Sequence, residues 1–147
     1  MLSDAQARLL TEPNPAIVTT LRRDGSAHSS LVWVDWDGEF VIINTVVGRI
    51  KEIHLRRDDR ISVCVVDRTN TNRYLGVDGH AELTTEGARE QVNQLAWRYL
   101  GKDFVFKPGA ERIIARFRPD RVWGIYDDAT EAELKSGRDW ERNSHAR

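Results

Sequence analysis

Two Asp-Gly pairs, Asp24-Gly25 and Asp37-Gly38, each set between apolar or β-branched runs, constrain this chain more than any other feature. Asp-Gly is a strong hairpin signal because the turn needs positive φ angles that glycine adopts without strain. The flanking runs are Ala16 to Leu21, Ala27 to Trp36 and Phe40 to Asn44, so the two turns predict three strands in an antiparallel meander. Before the meander, Ser3 and Gln6 fit a capping box, with Ala5, Leu9 and Leu10 on one side of a short helix that Pro13 and Pro15 end. After it the period changes. Ile50, Ile53 and Arg57 recur at helical spacing over Gly48 to Arg57, predicting a helix whose apolar face holds the two isoleucines and the stem of the arginine. Arg60 to Val66 returns to strand, and Tyr74 to Leu83 forms another, where Gly76 and Gly79 mark a bulge or a close backbone approach. Ala88, Val92, Leu95, Ala96 and Tyr99 form the stripe of a longer helix, with Gly101 as its C-cap. Ile113 to Arg118 and Val122 to Tyr126 complete the sheet.

About six mostly sequential strands and three helices predict a small, mainly β (α+β) antiparallel barrel. The 147 residues suit one domain, with a core over about residues 15–126 and a polar tail over 127–147. In that tail Leu134 and Trp140 are the only large apolar residues, and it is read as docking on the body or on a partner. A polar chain of this length has a small core, and burial against a second copy would remedy that.

Charge excludes one class of function. The 22 Lys and Arg nearly balance the 23 Asp and Glu, whereas nucleic-acid binding domains usually carry a basic excess. No apolar run approaches the roughly 18 residues a membrane span needs, and the first residues lack the basic start and apolar centre of a signal peptide. A cytoplasmic protein is expected. The single cysteine, Cys64, excludes an internal disulfide framework and reads as a small buried hydrophobe. His28, His54, His80 and His145 lie on different elements without metal-ligand spacing, so no metal site is expected. Ser29 and Ser30 lack a nucleophile elbow, and no catalytic acid or base can be assigned.

Two stretches remain as candidates for chemistry. In Asn44-Thr45-Val46-Val47-Gly48-Arg49-Ile50-Lys51 a strand end leads through a glycine loop into a helix that begins with two cations. Basic side chains at the positive end of a helix are misplaced unless an anion meets them. A phosphate would take Arg49 as a forked donor and Lys51 as a point charge, with Asn44 or Thr45 adding neutral hydrogen bonds. The plainer alternative leaves both cations in solvent or paired with Glu52 or other acids. In Ser29-Ser30-Leu31-Val32-Trp33-Val34, Trp33 either lines a flat aromatic cofactor or fills a core or dimer contact.

The ordered set Ala16-Ile17-Val18-Thr19-Thr20-Leu21, Asp24-Gly25-Ser26, Ser29 to Val34, Gly48-Arg49-Ile50-Lys51, Leu55 to Val63 and Tyr74 to Ala81 resembles the split β-barrel flavin/deazaflavin oxidoreductases. That superfamily includes the pyridoxamine 5′-phosphate oxidases, and the resemblance is to its coenzyme F420-dependent branch. It implies a six-stranded antiparallel split β-barrel of the FMN-binding type, flanked by helices, and a homodimer with cofactor sites at the subunit interface. It also implies that Arg49 and Lys51 hold the cofactor phosphate, that Asn44 and Thr45 form the polar strand end, and that Ser30, Leu31, Val32 and Trp33 lie along the ring system. The function it implies is hydride transfer from reduced coenzyme F420 to an electron-poor C=C or C=N bond of a small organic substrate. FMN chemistry of the pyridoxamine phosphate oxidase type and a non-catalytic flavin- or haem-binding module are the alternatives. The family's Asp-Pro after the paired arginines is Asp58-Asp59 here, and the residues that bind substrate phosphate in a true pyridoxamine phosphate oxidase are lacking.

Overall fold

The computed structural model describes residues 1–136, so the expectation for Trp140 and the rest of 137–147 lies outside the described residues. The chain alternates in pairs between two antiparallel sheets. The first five strands are β1 (Ala16–Leu21), β2 (Ala27–Val32), β3 (Asp35–Trp36), β4 (Val41–Val46) and β5 (Arg60–Val66). β6 (Tyr74–His80), β7 (Glu82–Thr84), β8 (Arg112–Phe117) and β9 (Arg121–Ile125) follow. One sheet has the order β2-β1-β5-β6-β9 and the other β3-β4-β8-β7. The helices are α1 (Asp4–Thr11), α2 (Ile50–Arg57), α3 (Ala88–Leu100) and α4 (Asp128–Lys135).

Both Asp-Gly pairs turn as their sequence requires, with Gly25 at φ 84° and Gly38 at φ 99°. The capping box of α1 forms through both of its bonds, and Leu9 and Leu10 beyond it are fully buried. α3 ends at Gly101 in the left-handed conformation.

Three expectations are corrected. The count of about six strands in a barrel becomes nine strands among the described residues, in two sheets that hydrogen bonds do not close into one barrel. Two of the added strands arise where a long predicted strand changes sheet: Trp33 and Val34 separate β2 from β3, and Ala81 separates β6 from β7. A run that reads as one strand is thus two half-strands joined at a corner. The second correction concerns α2, whose buried residues are Glu52 and Leu55, while Ile50 and Ile53 are 54% and 51% exposed. The Glu52 carboxylate takes the inward position because it accepts the Gly48 N–H at 3.1 Å and pairs with Arg56. Third, Cys64 is half-buried and takes the outward side of its strand, where its residual burial pushes the thiol pKa up.

The polar segment after Tyr126 begins with α4, an element its composition conceals. Asp127 caps it through Thr130, and Arg73 ties it to the body through Asp128 at 2.5 Å and Glu131 at 3.3 Å.

The main core lies between the sheets: Val18, Val63, Val65, Leu75 and Val77 from one, Val41, Ile43, Ala115 and Phe117 from the other, closed by Leu9 and Leu10. A second cluster, Phe40, Ile42, Ala88 and Ile114, lies on the far side of the smaller sheet beneath α3. β4 is therefore covered on both faces, which explains its unbroken apolar run. Where the sheets close on each other the backbone needs room. A Cβ on Gly79 would stand 2.5 Å from the Arg118 carbonyl oxygen and 2.5 Å from Phe117 Cδ2. Gly79→Ala is expected to cost about 1–3 kcal/mol, typical of overpacking where the neighbour is backbone. A lower urea midpoint with an unchanged slope would register it.

Candidate functional site

The β2 edge of the larger sheet, the end of β4, the start of α2 and the inner face of α3 enclose a cleft of about 290 Å³. Its lining brings together Leu31, Val32, Trp33, Asn44, Thr45, Arg49 and Lys51 of the residues singled out in sequence. Ser30 is tied to the same place, because Lys51 Nζ donates to its hydroxyl at 3.3 Å. The lining adds Val92 and Leu95 of α3, Phe104 of the loop that follows, and Arg112 at the start of β8.

One end is aromatic. Trp33 stacks on Tyr99 at 5.5 Å between ring centroids and 18° between planes, and Phe104 meets it edge-on at 6.2 Å. Phe104 is held in place by its own N–H, which donates to Asn93 Oδ1 at 2.7 Å. Asp103 beside it accepts from Trp97 Nε1 at 2.8 Å and from Asn93 Nδ2 at 3.1 Å, and these bonds hold its carboxyl below the usual range.

The other end is cationic. Arg49 is exposed, and Lys51 and Arg112 are half-buried. Burial lowers the Lys51 pKa first, and the charges of Arg49 and Arg112 lower it further. Arg112 is pushed below its ordinary range by burial and then by Arg49. Among the described residues none of the three pairs with a carboxylate. Glu52, the nearest acid in sequence, is taken by Gly48 and Arg56. Mutually repelling cations in a partly desolvated place have a cost that an anion relieves.

Asn44 does not point a free amide into the cleft. Its Nδ2 donates to the Ala88 carbonyl at 2.8 Å and to Gln91 Oε1 at 2.7 Å, and its Oδ1 accepts from Arg112 Nε at 2.8 Å. Thr45 is 4% exposed on the opposite side of β4 from Asn44. Arg112 is the residue that sequence reading missed: it stands beside Val46 only through the β4–β8 register, 68 positions from Asn44.

A larger depression, about 440 Å³, crosses the outer face of the five-stranded sheet between Thr19, Ser62, Asp78, His80 and Arg121. Its charges are already matched. Arg121 pairs with Asp78 at 2.6 Å, and His80 Nδ1 lies 2.7 Å from Asp59, which raises the imidazole pKa. Size favours this depression as a ligand site, but unmatched charge favours the smaller cleft, and charge decides for an anionic ligand. No group of three potential metal ligands occurs among the described residues.

This architecture agrees with a family comparison: residues 2–126 match the model of the pyridoxamine 5′-phosphate oxidase family. The chain belongs to that family. It is 27% identical over 128 residues to an F420H2-dependent biliverdin reductase of Mycobacterium tuberculosis, covering 86% of this chain and 90% of the relative. Among solved structures, an F420 reductase superposes with a TM-score of 0.73 and 26% identity, covering 82% of this chain and 98% of that one. HupZ of Group A Streptococcus, at 21% identity, a TM-score of 0.65, and coverage of 86% and 96%, shares the fold.

The lowered Lys51 pKa has a measurable consequence. Affinity for inorganic sulfate, a dianion whose charge is constant above neutral pH, should fall as pH rises through that pKa, at a pH where an exposed lysine would still be charged. Titrations carried upward from neutral pH should show the fall in the wild type. Lys51→Arg, which keeps its charge throughout, should flatten it.

Proposed function

We propose that the chain is an oxidoreductase that uses a deazaflavin, coenzyme F420, to reduce an electron-poor C=C or C=N bond of a small organic molecule. The observation that carries this reading is the pairing, in one cleft, of an aromatic wall with three cations that have no carboxylate partner among the described residues. Those residues suit a cofactor with a flat ring system at one end and a phosphate at the other. Arg49 and Lys51 hold the phosphate by charge-assisted hydrogen bonds. Leu31, Val32 and Trp33, with Ser30 behind Lys51, lie along the ring, and Phe104 keeps water from that side. When bound, a reduced deazaflavin supplies a hydride to the substrate.

No carboxylate or histidine lines the cleft among the described residues, so its contribution is position and charge rather than acid–base chemistry. FMN also presents a phosphate, as a terminal monoester, and is the alternative cofactor. The likeness to the mycobacterial biliverdin reductase makes tetrapyrroles, alongside enones and quinones, the substrate classes to try first.

The working unit in this reading is a homodimer. A straight cross-strand row runs over the outer face of the larger sheet: Leu31, Ile17, Cys64, Gly76, Trp123. Leu31 is 76% and Ile17 42% exposed, and the Trp123 ring lies against Gly76. An apolar row of this kind fits a second copy of the chain. Because Leu31 also lines the cleft, a copy seated there would wall the site, which at about 290 Å³ is small for a ligand pocket of typically 300–1,000 Å³.

Titration of the protein with coenzyme F420 and with FMN, followed by fluorescence, tests the cofactor. F420 should bind, and the double variant Arg49→Ala, Lys51→Ala should lose at least about 100-fold in affinity, the loss of two charge-assisted contacts of roughly 1.5–3 kcal/mol each. Binding of FMN alone would replace the cofactor, and cofactor binding without oxidation of the reduced form by any substrate class would leave a storage or sensing module. Ile17→Asp should shift the sedimenting species from dimer to monomer at micromolar concentration and weaken cofactor binding with it. A wild-type monomer would overturn the shared site.

A further inference from the structure

We infer that Arg112 is a third anion-binding arm of the cleft, that Asn44 and Gln91 are the residues that position it, and that the ligand's anionic end carries at least two negative charges. The inference rests on the cleft being the cofactor site. Arg112 is held on two sides. Its Nε donates to Asn44 Oδ1 at 2.8 Å, and its guanidinium carbon lies 4.9 Å from the centre of the Phe104 ring. The Asn44 amide cannot turn to release it, because its nitrogen is bonded to both the Ala88 carbonyl and Gln91 Oε1.

Gln91 is itself only 9% exposed, so the support for Asn44 comes from inside the fold rather than from a mobile surface chain. What remains of Arg112 is a pair of terminal nitrogens that no carboxylate engages among the described residues, close enough to Arg49 and Lys51 for the three charges to depress one another. A protein that needed Arg112 only for packing would gain by giving it an acid partner; the Asn44 amide accepts its Nε yet leaves its charge uncompensated. Two cations match a singly charged phosphodiester. Three, with the third oriented from a different strand, match a phosphate monoester dianion, or a phosphodiester accompanied by a carboxylate.

The test is a set of fluorescence titrations at pH 8 on the full chain, with FMN, coenzyme F420 and phosphate-free riboflavin. Arg112→Ala should weaken binding of the phosphate-bearing cofactors at least tenfold and leave riboflavin unchanged. Asn44→Ala should weaken them less, and its effect should vanish in the Arg112→Ala background, whereas a structural role for Asn44 would persist there. FMN affected without F420 assigns the arm to a phosphate dianion; F420 affected without FMN assigns it to a second group.

Unchanged binding in Arg112→Ala, or an equal loss for riboflavin, overturns the inference. Arg49→Ala separates the two levels. If it also leaves phosphate-dependent binding intact, the cofactor reading fails, and if it alone is damaging, only the role of Arg112 fails. Melting curves with inorganic pyrophosphate give a readout independent of any cofactor. Stabilisation in the wild type should be lost in Arg112→Ala, and a wild type indifferent to pyrophosphate overturns the proposal as well.

Discussion

The hydroxyl of Tyr99 sits where the first sheet hands the chain to the second, and much of the structure depends on it. It accepts the Val34 N–H at 3.3 Å and donates to the Asn14 carbonyl at 2.8 Å. Asn14 is fully buried, and its side chain is spent as well, donating to the Leu9 carbonyl at 2.9 Å and accepting from the Arg68 N–H at 3.1 Å. One phenol and one amide therefore join the end of α1, the β5–β6 loop, α3 and the β2–β3 corner. Each bond lost there would strand a poorly solvated partner, a penalty of about 1–3 kcal/mol. The corner matters for the site because Trp33, the residue before Val34, lies stacked on the same Tyr99 ring. The aromatic wall of the cleft thus inherits its position from the junction of the two sheets.

That dependence explains which parts of the molecule could be read in advance. β1 and β5 fall on the residues the sequence predicts, because each is a run rich in β-branched residues between clear turn or helix boundaries. The α1 capping box and the glycine C-cap of α3 are local devices and were equally legible. The β2–β3 and β6–β7 corners were not, since a strand that changes sheets keeps its β propensity throughout and only its partners change. The inward face of α2 was misread for a different reason. Apolar periodicity assumes that burial follows hydrophobicity, and Glu52 is buried for the N–H and the arginine it serves.

The site divides the same way. Arg49 and Lys51 could be picked out because they are close in sequence and stand at a helix start. Arg112 could not, since its place depends on β8 pairing with β4 so that it lies beside Val46. Asn44 was legible as a polar strand end, but its bonds run to α3 and β8, elements far from it in sequence. Contacts made through strand register leave no local signature, and they are what turns two adjacent cations into a cluster.

Glu52 shows why that cluster stays charged. A buried carboxylate one residue from Lys51 and three from Arg49 would be the natural counter-ion for either. Helix geometry instead places it beneath α2, where one oxygen accepts the Gly48 N–H and the other meets Arg56 one turn along. The backbone donor ahead of the helix is thereby satisfied from within the protein, while Arg49 and Lys51 have no carboxylate partner among the described residues. Had Ile50 and Ile53 been the buried pair, Glu52 would face outward among Arg49 and Lys51 and neutralise them. The inversion of α2 and the unmatched charge of the cleft are therefore one structural fact, and burying an acid where the apolar pattern calls for an isoleucine is what leaves the cleft's cations without it as a counter-ion.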